Sequence, residues 1–148
     1  MTDLLAIAPL LLPVALAAAT ATAWTRPDIQ QAITLAGTTA LLVISIWLVW
    51  TVVTEGPLAT QPGDWPAPFG ITIFADRLSA AMVLVSGVLA MATVVFARAG
   101  LPETAVEGGF HPLFHGLMLG VNGAFLTGDV FNLYVWFEVM LVCAVGLL

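Results

Sequence analysis

The sequence predicts an all-α fold: a polytopic transmembrane helix bundle of about five membrane helices, with a small extramembrane hairpin loop between helices 2 and 3. Three observations carry this. Of the 148 residues, 61% are hydrophobic. Only 8% are charged, against about 25% in an ordinary soluble domain. The apolar residues also come in stretches of about 20 that are apolar on every side, as lipid-embedded helices require.

The first apolar stretch runs from about Leu4 to Trp24. It is too long for a signal-peptide core, and Asp3 stands where a basic flank would be, so it reads as a retained membrane span. Pro9 and Pro13 predict a bend within it. A polar link, Thr25 to Asp28, leads to the second span, about Ile29 to Val53. Trp47 and Trp50 lie near the end of that span, where interfacial aromatic anchors belong.

The long loop from Thr54 to Ala75 carries turn signals at Glu55-Gly56-Pro57, Gln61 to Pro66 and Pro68-Phe69-Gly70. Ile71 to Phe74 alternates and is β-branched, which predicts one strand of the hairpin. Asp76 is placed to cap the third span, which runs to about Ala99. The fourth span covers about Phe110 to Leu126. Thr127-Gly128-Asp129 then makes a tight turn, with Asp129 as N-cap of the fifth span, about Val130 to Leu148. No aromatic belt or basic anchor follows that span, so the chain reads as cut within or at the end of a helix.

The formal net charge is −6, from nine acids and three arginines, with no lysine. No basic face exists for nucleic acid, which is excluded as a partner. The lone Cys143 rules out an intrachain disulfide and a CxxC metal site. No phosphate-binding glycine loop or nucleophile elbow occurs, so the expectation is no cofactor and no enzyme. Arg26 and Arg98 put the first and third loops in the cytoplasm by the positive-inside rule. The N-terminus, the long loop and the Asp129 turn then face outward.

Glu138 is the leading functional candidate. It lies eight residues beyond Val130, roughly 12 Å along a helix, near the middle of a hydrocarbon core about 30 Å thick. Its sequence neighbours Val135, Trp136, Phe137, Val139, Met140 and Leu141 offer a carboxylate no partner. Placing one there costs about 2.5–3.5 kcal/mol. Desolvation also disfavours the charged form, so the group can load and release a proton. The rival reading is an ion pair that serves assembly alone.

The fourth span carries a polar stripe. His115, Asn122 and Asp129 recur at seven, on one helix face, and His111 lies one turn before His115. His111 and His115 are expected to take part in proton translocation, histidine being the side chain that switches most readily near neutral pH. Asn122 and Asp129 extend the stripe into a polar path. The alternative makes His111 an interfacial residue, Asn122 an interhelical clamp and Asp129 only a cap. Gly116, Gly120, Gly123 and Thr127 form a small-residue stripe for close helix packing. Ser79, Ser86 and Thr93 in the third span, and Thr34, Thr38 and Ser45 in the second, read as ordinary interhelical hydroxyls.

Two stretches go beyond a short motif. One is Gly63-Asp64-Trp65-Pro66-Ala67-Pro68-Phe69-Gly70-Ile71 followed by Ala75-Asp76-Arg77-Leu78-Ser79. The other runs from His111-Pro112-Leu113-Phe114, through Gly120-Val121-Asn122-Gly123-Ala124-Phe125-Leu126-Thr127-Gly128-Asp129, to Phe131-Asn132-Leu133 and Phe137-Glu138-Val139-Met140. Together they resemble the D subunit of Mrp-type multisubunit Na⁺/H⁺ antiporters, a family related to the antiporter-like subunits of respiratory complex I.

The resemblance implies that residues 1–148 are an N-terminal transmembrane portion, with helices at about 4–24, 29–53, 76–99, 110–126 and 130–148, and with the rest of the family domain absent. It implies a plasma-membrane protein that takes part in Na⁺/proton exchange with other subunits of a multisubunit complex. In the family, the glutamate matching Glu138 faces a lysine on a later helix. This sequence has no lysine, so another chain or segment must bring the missing helices and the cation. A proton-pumping subunit of a complex I-like oxidoreductase and a non-transporting structural subunit stand as alternatives.

Overall fold

The computed structural model describes residues 2–63, 65, 70–100 and 102–148. The elements in order are α1 (Thr2–Thr22), α2 (Pro27–Glu55), β1 (Leu58–Thr60), β2 (Ile73–Ala75), α3 (Arg77–Gly100), α4 (Glu103–Glu107), α5 (Phe110–Leu126) and α6 (Val130–Gly146). Three helices, α1, α2 and α3, are long and apolar enough to cross a membrane. The other two major helices, α5 and α6, have 17 residues each, roughly 25 Å of helix.

Local chemistry sets the helix ends. Pro27 opens α2 at its first turn, where a missing N–H costs nothing. Asp76 and Ser79 close a reciprocal box at the start of α3. The Ser79 backbone N–H donates to Asp76 Oδ1 and the Asp76 N–H donates to Ser79 Oγ, each at 2.8 Å. These bonds hold the Asp76 carboxyl below its usual pKa. Gly109 precedes α5 with φ of +90°, and a Cβ there would lie 2.7 Å from the Trp24 ring, so glycine suits both the turn and the contact. Asp129 caps α6 by accepting from the Phe131 N–H at 2.8 Å.

α1 lies against α2 and α5, α2 against α3, and α5 between α1, α3 and α6. One apolar cluster, with Leu5, Leu10, Leu48, Val52, Val83 and Leu126, also holds the hairpin residues Ile73 and Ala75. A second, with Leu41, Ala90, Val94, Phe114 and Met118, fills the bundle elsewhere. α1 remains one helix across both prolines.

The hairpin forms from Leu58–Thr60 and Ile73–Ala75 in antiparallel register, two residues later than the alternating Ile71–Phe74 run suggests. The shift buries Ile73 and Ala75 and leaves Phe74 outward. The α5–α6 turn is tied to this hairpin: the Gly128 N–H donates to the Thr72 carbonyl at 2.8 Å, and Ile73 bridges to Thr127. The five-residue α4 stands where the sequence predicts only a loop. The turn signals at Asp64 and Pro66 to Phe69 lie outside the described residues.

Candidate functional site

Two polar regions stand apart in the bundle. The first is enclosed between α2 and α5. His111 and His115, one turn apart on α5, are 6% and 1% exposed. Thr34 of α2 is fully buried, and its Oγ sits between the two rings. It lies 2.9 Å from His111 Nδ1 and 3.1 Å from His115 Nε2. One hydroxyl can donate to one ring nitrogen and accept from the other, so the three groups form a single hydrogen-bonded unit.

Gln30, one turn before Thr34, is also buried. Its Nε2 donates to the carbonyls of Ala23 and Trp24 at 3.1 and 3.0 Å, while Oε1 has no partner. A notch of about 100 Å³ reaches His111 from this end of the bundle; its other polar lining is Asp28, Gln31 and Arg98.

Asn122 lies two turns beyond His115 but belongs to a different network. Its side-chain N–H donates to the Pro9 carbonyl at 3.2 Å, and its Oδ1 accepts from Ser86 Oγ at 2.5 Å. The Pro9 carbonyl is open because its helical partner would be the N–H of residue 13, and Pro13 has none. Asn122 therefore closes the gap that a proline leaves in α1, with Ser86 orienting it. His115 and Asn122 share the inner face of α5, but α5 ends at Leu126, so Asp129 leaves the stripe, and these hydrogen bonds do not join the three into a path. Asp129 is committed to capping α6. Among the described residues, no cluster of three or more His, Cys, Asp or Glu forms.

The second region is the outer face of α6. Only Asn132 of this helix is buried. The burial expected for Glu138 is not provided by this chain: the side chain is exposed, on a face with Tyr134, Leu141 and Val142. The reason is the glycine stripe. A Cβ on Gly116 would meet Cys143 Sγ at 2.6 Å, one on Gly120 would meet Met140 Cγ at 2.6 Å, and one on Gly123 would collide with the Trp136 ring. Packing Trp136, Met140 and Cys143 onto those glycines turns Glu138 away from α5. Thr127 ends the stripe by accepting from the Asn132 side chain at 3.0 Å.

Three of these groups carry no functional signal in the sequence. Thr34 and Ser86 read there as ordinary hydroxyls, and Gln30 is not singled out. The spacing of Pro13 from Pro9 is a usable signal for the Asn122 contact. Nothing local marks Thr34 among the other hydroxyls of α2.

No family profile matches the chain. Sequence relatives do. A probable K⁺/H⁺ antiporter D subunit of Rhizobium meliloti is 41% identical over 99% of this chain and 28% of its own length. The Na⁺/H⁺ antiporter D subunit of Alkalihalophilus pseudofirmus is 37% identical over 79% of this chain and 24% of its own. This chain is a relative of the antiporter D subunits. It spans about a quarter of the length of these relatives.

Solved structures agree with the relationship. A chain of the Mrp complex from Dietzia superposes with a TM-score of 0.86 at 27% identity, covering 98% of this chain and 27% of that one. A chain of an archaeal membrane-bound sulfane sulfur reductase also gives 0.86, at 25% identity, covering 94% and 29%. The relationship to the antiporter D subunits thus extends from sequence to fold.

Proposed function

We propose that this chain forms part of a subunit of a multisubunit Na⁺/proton antiporter, with Glu138 as a proton carrier in the membrane. The observation that carries this is the placement of Glu138. A carboxylate sits halfway along an apolar helix, on the face that α1 to α5 leave uncovered. Left against lipid it would cost several kcal/mol. A cationic helix over that face would remove the cost and govern protonation: the cation close favours the carboxylate, the cation withdrawn favours the acid. The chain contains no lysine, so the cation comes from another subunit or segment.

The sequence relatives are antiporter D subunits, which favours exchange over a redox-driven pump even though the reductase chain superposes equally well. His111 and His115 are assigned to proton handling. The bonds of Asn122 and Asp129 support clamping and capping instead. The N-terminus faces outward and the site of action is the plasma membrane. Arg26, just before α2, and Arg98, in the last turn of α3, lie at one end, while the hairpin and the Asp129 turn are tied together at the other, which fits the charge rule.

The test is Glu138→Ala and Glu138→Asp in the assembled complex, with cation-driven proton movement followed in membrane vesicles. Exchange is lost in the first and reduced in the second. Normal exchange by Glu138→Ala at normal assembly would overturn the proposal.

A further inference from the structure

The notch at the Arg98 end does not stop at the surface. It is lined by His111, whose Nδ1 is 2.9 Å from the buried Thr34 hydroxyl. That hydroxyl is 3.1 Å from His115 Nε2. A volume of about 100 Å³ holds a few waters, each of which occupies about 30 Å³ in the liquid. We propose that Thr34 is the hydroxyl link of a proton relay that runs from this notch, through His111, to His115 inside the bundle. The proposal rests on the proton-carrying role given to the subunit under the proposed function.

The transfer balances without any other reactant. His111, protonated on both nitrogens from notch water, gives its Nδ1 proton to Thr34 Oγ. In the same motion the proton already on Oγ passes to His115 Nε2. His111 returns to neutral, His115 gains one proton, and the hydroxyl keeps one. Rotation of the hydroxyl and return of His111 to its Nδ1–H tautomer reset the unit for the next proton. A valine of the same shape would hold the helices equally far apart but could pass nothing.

The ionisable surroundings are few. α2 contributes Asp28 and α3 contributes Arg98 to the notch. α4 presents Val106 there, and its Glu107 is exposed. The one ionisable side chain of α1, Asp3, is in that helix's first turn, remote from the α1–α2 loop. Glu138 is on the outer face of α6. Gln30 Oε1, buried and unpartnered, is an acceptor available to a water one turn from Thr34.

The experiment compares Thr34→Val and Thr34→Ser in the full-length subunit within its complex, with exchange measured across pH and normalised to assembled complex. Thr34→Val is expected to slow exchange about a hundredfold, the low end of what a positioned proton-transfer group contributes, and to displace the pH profile. Thr34→Ser is expected to restore both. A wild-type rate and profile in Thr34→Val, beside a dead Glu138→Ala, overturns the relay and leaves the Glu138 reading standing. Equal losses in the valine and serine variants, tracking reduced assembly, overturn it in favour of packing. Normal exchange by Glu138→Ala removes the reading on which the relay rests. Where Thr34→Val does not assemble, Thr34→Ala is judged by the same two readouts.

Discussion

α5 and α6 are neighbours of equal length, and they treat their polar groups in opposite ways. α5 turns His111, His115 and Asn122 inward, where α1, α2 and α3 supply a partner for each. α6 buries only Asn132 and leaves Glu138 outward. A polar side chain satisfied within the bundle contributes to holding it together. One left on an apolar outer face, bonded only to Tyr134 of its own helix, adds little to this fold. The contrast separates the polar groups that the subunit satisfies inside itself from the one that it presents.

Substitutions can break or sharpen this contrast, and their expected effects on stability fall in order. Gly123→Leu should be the most damaging, because its first side-chain atom already collides with the Trp136 ring. Overpacking of this kind costs about 1–3 kcal/mol or more. The α5–α6 seam should open and the assembled subunit should be lost, as seen by native gel or size exclusion in detergent.

Asn122→Leu comes next. It strands the Pro9 carbonyl in the core and leaves the Ser86 hydroxyl only the Val83 carbonyl of its own helix, at about 1–3 kcal/mol. A lowered midpoint of thermal unfolding is the readout, and an unchanged one would return Asn122 to the candidate path.

Asp76→Asn should be milder. The Asp76 carboxyl is held below its ordinary pKa of 3.8 by the Ser79 N–H and hydroxyl. For a depressed carboxyl the stabilisation is complete above the unfolded-state pKa and fades as pH falls through the folded one. Asp76→Asn should therefore lower stability at neutral pH and converge with the parent under strong acid, a difference that thermal melts at several pH values would expose.

Glu138→Gln should be smallest of all, within about 0.5 kcal/mol, because the side chain is exposed and the Tyr134 hydroxyl that bonds it, one turn earlier, is exposed too. It should nonetheless abolish exchange. A large loss of stability in the purified chain would break the contrast between the two helices.

Much of the fold is legible in the residues alone. Composition announces the membrane, and Asp76 and Asp129 announce helix starts because a short acceptor must stand just ahead of the first free N–H groups. The repeat of Gly116, Gly120 and Gly123 marks the close contact of α5 with α6. What stays hidden is of two kinds. The Thr34 contact joins residues 77 and 81 positions apart, and no local pattern distinguishes that threonine from Thr38 or Thr39. The facing of Glu138 is hidden because α6 is apolar on every side, so no polar face orients it. Depth along the helix can be counted, but direction cannot.

The contact between Asn122 and the Pro9 carbonyl reverses a common rule of helix engineering. Replacing an internal proline with alanine ordinarily repairs a helix by restoring the missing amide. In α1, Pro13→Ala would bring a second donor to the carbonyl that α5 now uses, and the repaired helix would compete with its neighbour for it. Its irregularity is the socket into which another helix plugs. Attempts to make this protein sturdier by straightening α1 would loosen the bundle they were meant to strengthen.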